Sequence, residues 1–254
     1  MRVFRRKLAI LALALYWPTI FVLAHIPVPG IVLQVKVSDK VLHFLGYFVL
    51  VFLVWGVVKP DEKANWRKAA VWAILAGVTC YGMVDEWLQT FVAGRTADIK
   101  DWAADLTGAV ASLLMLSLLS FWPATLLLAA LTIMLLSNCT GVDITQVLPV
   151  TTLLFHFSSF ALFTFLWVIY VCGLLQAAEG DDKIPLPHKM VSIYGVIFML
   201  ALPLALLCMV VLISLLLGRD FRSQDALFSV AGISIVILTA KLTHFCRSSM
   251  PQKP

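Results

Sequence analysis

The sequence predicts an all-α, polytopic integral membrane bundle of about eight transmembrane helices, with both termini on the cytoplasmic face. Three observations predict it. Hydrophobic residues make up 61% of the 254 positions and charged residues only 13%, and the mean hydropathy is +0.97, far above that of a water-soluble domain of this size. Apolar runs recur at roughly the 20 residues that a hydrocarbon layer of about 30 Å requires. Lys and Arg also fall unevenly on the two sides that such runs define.

The first run, 7–25, follows Arg2, Arg5, Arg6 and Lys7 in the manner of a secretory signal. Trp17-Pro18 interrupts it and no small-residue cleavage site follows, so it reads as a retained span. Spans 40–58 and 68–92 come next. The fourth, 101–121, and the fifth, 123–138, are separated only by Ser120-Phe121-Trp122-Pro123. A single helix from 101 to 138 would overshoot the bilayer, and Pro123 suits a helix start, so a tight hairpin is expected. Spans 147–175, 190–217 and 225–246 complete the set. The expected organisation is a four-helix unit over 1–121 and an additional four-helix unit over 122–254.

With the N-terminus inside, thirteen of the nineteen Lys and Arg face the cytoplasm. Lys36, Lys40, Arg95, Lys100, Arg219 and Arg222 face the other side. The net charge of +5 is thus a matter of topology, and no basic patch with interleaved aromatics points to nucleic acid as a partner. Cys80, Cys139, Cys172, Cys208 and Cys246 show no CxxC spacing and read as small apolar core residues.

Against this background one stretch is anomalous. Residues 81–109 hold Asp85, Glu86, Asp98, Asp101 and Asp105, five of the fourteen acidic residues in the chain. Helical spacing puts Tyr81, Asp85 and Gln89 on one stripe, with Glu86 about 100° away. Asp98, Asp101 and Asp105 are three and four apart, and Gly108 continues their stripe. Asp39, His43, Gly46 and Tyr47 line up on the second span. All three stripes lie at one depth on the exoplasmic side, Asp85 about 10 Å and Asp105 about 6 Å inside the expected span ends. A charge at the bilayer centre costs roughly 2.5–3.5 kcal/mol, less near the interface, so buried carboxylates here require compensation. Three things can supply it: raised carboxylate pKa values, a bound cation, or a cationic or hydrogen-bonding ligand group.

Blander roles are open for several of these residues. Ser38-Asp39 and Asp98 suit helix N-caps, Asp101 and Lys100 suit solvated positions, and Arg95 suits either a tie to Asp85 or Asp105 or a contact with a ligand anion. Tyr47 and Tyr81 suit packing and hydrogen bonding. Asp85, Glu86, Gln89 and Asp105 resist a purely structural reading best.

The run Asp39-Lys40-Val41-Leu42-His43-Phe44 with Tyr47-Phe48, then Asp85-Glu86-Trp87-Leu88-Gln89 with Arg95, Asp98, Asp101, Asp105 and Gly108, resembles the VanZ-like family, named for a protein associated with teicoplanin resistance. The resemblance covers about residues 7–121. It implies a compact helical membrane unit and an association with the bacterial cell envelope and glycopeptide susceptibility, and it carries no settled reaction. The second half lies outside it. There Phe155-His156-Phe157-Ser158-Ser159-Phe160 echoes the stretch around His43, with Asp143 upstream as Asp39 is, but no counterpart of the acidic stretch follows, so a degenerate repeat is one reading and not the favoured one. Arg219, Asp220, Arg222 and Asp225 suit a solvated exoplasmic loop or a lid.

Three functions fit to different degrees. A binding or accessory protein would use Asp39, His43, Tyr81, Asp85, Glu86, Gln89, Arg95, Asp98, Asp101 and Asp105 as an outer-leaflet pocket for an envelope lipid, glycolipid or cell-wall-directed amphiphile. A membrane-embedded hydrolase or transferase would use His43, Asp85, Glu86 and Asp105 for acid and base work, with Mg2+ or Ca2+ held by Asp85, Glu86 and Asp105. A transporter is disfavoured, because the polar groups gather on one side and no inverted repeat is evident. The chain has no G-x-S-x-G, H-E-x-x-H or Gly-rich phosphate loop. An enzyme would need a titratable base at His43, whereas a binding pocket would tolerate Asn or Gln. The binding role in the cytoplasmic membrane is preferred.

Overall fold

The computed structural model describes residues 2–26, 38–92, 95–139, 149–178, 193–218 and 221–248. The described residues form no strand and eight helices long and apolar enough to cross a membrane. In order these are α1 (Arg2–Ala24), α2 (Asp39–Val58), α3 (Ala69–Gln89), α4 (Ile99–Leu118), α5 (Phe121–Cys139), α6 (Pro149–Ala178), α7 (Ile193–Leu216) and α8 (Ser223–Ser248). Helices dominate because a bilayer offers the backbone no hydrogen-bond partner, so each segment must satisfy its own amides. Large apolar side chains such as Leu15, Leu118 and Leu216 project outward, as lipid-facing surfaces do.

The chain divides into two compact units, Arg2–Ala124 and Thr125–Pro254 with Met1. In the first, α2 is central. It packs most broadly on α4, then on α1, while α3 rests mainly on α4. Gly108 permits the α2–α4 approach, since a Cβ there would run into the carbonyl of Phe44 and stand 3.1 Å from Phe48 N. Tyr16 of α1 donates its hydroxyl to the Gly46 carbonyl of α2 at 3.0 Å. Tyr47, Leu50, Val51 and Trp55 of α2 are buried with Leu113 and Leu116 of α4. The expected break between the fourth and fifth spans is present: α4 ends at Leu118, α5 begins at Phe121, and Pro123 sits in its first turn. At that turn Phe121 lies 4.7 Å from Phe52, ring centre to ring centre.

In the second unit α6 packs most broadly on α8. Phe160, Phe163, Met199, Val210 and Ile233 form its core. A Cβ at Gly232 would strike the Phe157 carbonyl and stand 3.2 Å from Ala161 N. Phe157 and Ala161 are one and five residues past His156, as Phe44 and Phe48 are one and five past His43. The two helix pairs therefore close at the same register.

Several expectations are corrected. Cys80 and Cys208 stand on exposed faces, and only Cys172 of the described cysteines is buried. Asp225 is a buried residue of the first turn of α8, 3.7 Å from Arg222 Nε, so it belongs to a helix and not to a solvated loop. Asp143, Arg219 and Asp220 lie outside the described residues.

Candidate functional site

The end of α1, the start of α2, the end of α3 and the start of α4 meet at one end of the first unit. Asp98 stops the chain from continuing as loop: it is the N-cap of α4, and its carboxylate accepts the Lys100 amide N–H at 2.9 Å. That bond, with Lys40 nearby, holds the Asp98 carboxyl below its ordinary range. Because the cap lies here, α4 begins at Ile99, two residues earlier than expected, and α3 ends at Gln89, three earlier. At 1.5 Å per residue Asp85 then sits about 6 Å, and Asp105 about 9 Å, inside the helix ends. Ser38 occupies the N-cap position of α2 but its side chain makes no capping bond.

Asp85, Glu86 and Asp105 are 3%, 6% and 2% exposed and converge. His43 Nδ1 of α2 lies 3.0 Å from Asp105 Oδ1 of α4 and 3.7 Å from Glu86 Oε1 of α3. The other Glu86 oxygen accepts the Asp98 backbone N–H at 3.0 Å, which fastens the end of α3 to the cap of α4. Gln89 Nε2 donates to Asp85 Oδ2 at 3.2 Å. Gly82 gives this wall room, since a Cβ there would stand 3.3 Å from Asp105 Oδ2 and 3.4 Å from the Tyr47 ring. Tyr81 is half-buried, its ring edge-on to Trp17 at 5.5 Å and tilted on Tyr47 at 6.0 Å.

The rim residues are arranged differently from expectation. Asp101 is buried, not solvated, and Lys40 Nζ bridges Asp101 Oδ1 at 3.0 Å and Asp98 Oδ2 at 3.2 Å. Arg95 makes its contacts with Asp39 Oδ1 at 3.9 Å and the Leu23 carbonyl at 3.4 Å, where a tie to Asp85 or Asp105 was one expectation. Asp39 itself is exposed. A residue the sequence reading missed completes the cluster: His25, just past α1, places Nδ1 3.9 Å from Asp85 Oδ1. Its signal was position alone, a titratable side chain at the cluster's end of the first span.

Two open clefts lie elsewhere. One, of about 410 Å3, is apolar and lined by Ile10, Leu13, Trp17, Pro18 and Phe21 of α1 with Val57 of α2. The other, of about 500 Å3, lies along Glu62–Lys68 in the loop at the opposite end of α2 and α3. In the second unit His156 is buried and edge-on to Phe221 at 5.5 Å.

Eight apolar helices, with ionisable groups buried at one end of the first four, define a multi-pass membrane protein. Residues 7–120 match the model of the VanZ/LLP1 family, and the chain is VanZ-like over that segment. Over 83 residues it is 32% identical to an uncharacterized protein of Schizosaccharomyces pombe, a match spanning 33% of this chain and 49% of that relative. The chain thus matches about half the length of the relative. No solved structure matches.

Proposed function

We propose that the first unit binds the polar headgroup of an envelope lipid, a glycolipid or a cell-wall-directed amphiphile. In this reading the chain resides in the cytoplasmic membrane with both termini inside, and the cluster lies beneath the outer headgroups. One observation carries it: Asp85, Glu86 and Asp105 are buried among apolar helices, yet Asp85 Oδ1, Glu86 Oε1 and Asp105 Oδ2 have no hydrogen-bond partner. Burying such oxygens without a hydrogen bond is costly, and a ligand supplying donors or positive charge offsets that cost. Exposed Trp87, edge-on to Phe91 at 5.2 Å, suits the aromatic belt of a membrane interface at the same end.

A second reading, a membrane-embedded hydrolase or transferase, rests on the 3.0 Å approach of His43 to Asp105, an arrangement that suits a general base. Mass spectrometry of lipid extracted from the purified protein tests both. Binding gives a co-purifying lipid recovered unaltered after incubation; turnover gives a changed mass. Absence of any lipid enriched over the surrounding membrane would count against both.

The shared register of Gly108 on Phe44 and Gly232 on Phe157 supports reading 122–254 as a degenerate copy of the first unit.

A further inference from the structure

We propose that His43, Glu86 and Asp105 hold one divalent transition-metal ion of the zinc or manganese class, leaving a coordination position for an oxygen of the headgroup. This rests on reading the cluster as a ligand site. The three donors come from three helices, all are buried, and their ligand atoms lie within 4.8 Å of one another. Ligand atoms around a four-coordinate zinc, with bonds of about 2.0–2.2 Å, stand about 3.4 Å apart. The two separations from His43 Nδ1, 3.0 Å and 3.7 Å, bracket that distance. An ion would therefore take the place of the hydrogen bond between His43 and Asp105.

Two independent observations favour an ion over a self-contained network. Glu86 Oε1 and Asp105 Oδ2 accept no hydrogen bond, although their side chains are more than nine-tenths buried. Neither Lys40 nor Arg95 makes its contacts with Glu86 or Asp105: Lys40 pairs with Asp98 and Asp101, and Arg95 with Asp39 and the Leu23 carbonyl. Outer bonds are also in place: Glu86 keeps its second oxygen on the Asp98 amide, as ligating carboxylates do. An imidazole beside two carboxylates favours zinc, manganese or iron over the Mg2+ or Ca2+ that an all-oxygen site would take.

The second unit sets the stoichiometry. Gly232 matched to Gly108 puts Asp225 in the register of Asp101 but Ser229 in that of Asp105, and α7 carries no carboxylate. One ion per chain is expected.

The test uses the full chain in nanodiscs, stripped with a chelator and titrated with Mn2+ or Zn2+ in equilibrium dialysis. Wild type should bind one ion per chain, Glu86→Gln and Asp105→Asn should each weaken binding more than 10-fold, and Glu62→Gln, at the other end, should leave it unchanged. Should the carboxylate variants misfold, Co2+ added to His43→Cys keeps the question open to decision, since a thiolate-to-cobalt charge-transfer band should appear there and be absent from wild type. No stoichiometric ion in folded wild type, or full affinity in Glu86→Gln and Asp105→Asn, overturns the proposal. Enriched lipid without metal overturns the ion and keeps the headgroup reading; neither lipid nor metal overturns both.

Discussion

Asp105 meets His43 because Gly108, three residues further along α4, lies against the carbonyl of Phe44, the residue after His43. The close approach of α4 to α2 and the central polar contact of the first unit are thus one feature. A side chain at 108 would lift α4 away from α2 and draw the carboxylate from the imidazole.

Gly108→Val should therefore cost about 1–3 kcal/mol, the range for overpacking a close contact, and should also weaken ligand binding. Gly232→Val should destabilise comparably in the second unit without touching the ligand. Thermal unfolding and lipid co-purification of both variants check this; equal loss of lipid in both would uncouple the glycine from the site.

Glu62 makes an acid-dependent contribution at the opposite end. Lys59 at 2.8 Å and Lys68 at 2.9 Å hold its carboxyl down to about 2, against an ordinary value of 4.5. A depressed carboxylate stabilises the fold above the unfolded value, and that contribution fades as pH falls from 4.5 towards 2. Wild type should exceed Glu62→Gln in stability at pH 6 and converge with it near pH 2, with a small gap because the pair is exposed. Circular dichroism during acid titration measures it.

Ala97→Cys, in a chain whose own cysteines are replaced, should react with an impermeant thiol reagent added outside intact cells. Ala97 is exposed beside the Asp98 cap. Labelling only after permeabilisation would reverse the orientation.

Much of this was legible in the sequence. Eight spans, the α4–α5 break beside Pro123 and the stripes carrying His43, Asp85, Glu86 and Asp105 follow from hydropathy and helical periodicity. What periodicity cannot supply is which stripe faces which. The short connection made α3 and α4 neighbours, yet the broadest contact joins α2 to α4, which are separated in sequence and brought together by a glycine. Charge partners were equally hidden. Lys40 and Arg95 have reach enough for several carboxylates, and only packing assigns Lys40 to the buried Asp101 and Arg95 to Asp39. His25 went unnoticed because a single histidine past a span has no periodic signature. The His156-Phe157 echo was visible, but the matching Gly232 contact required coordinates.

The most direct test is native mass spectrometry of the purified full chain beside Asp105→Asn. A lipid adduct on wild type that disappears from the folded, membrane-inserted variant is the expected result. Identical spectra from two equally folded proteins would contradict it, leaving the buried carboxylates as scaffold.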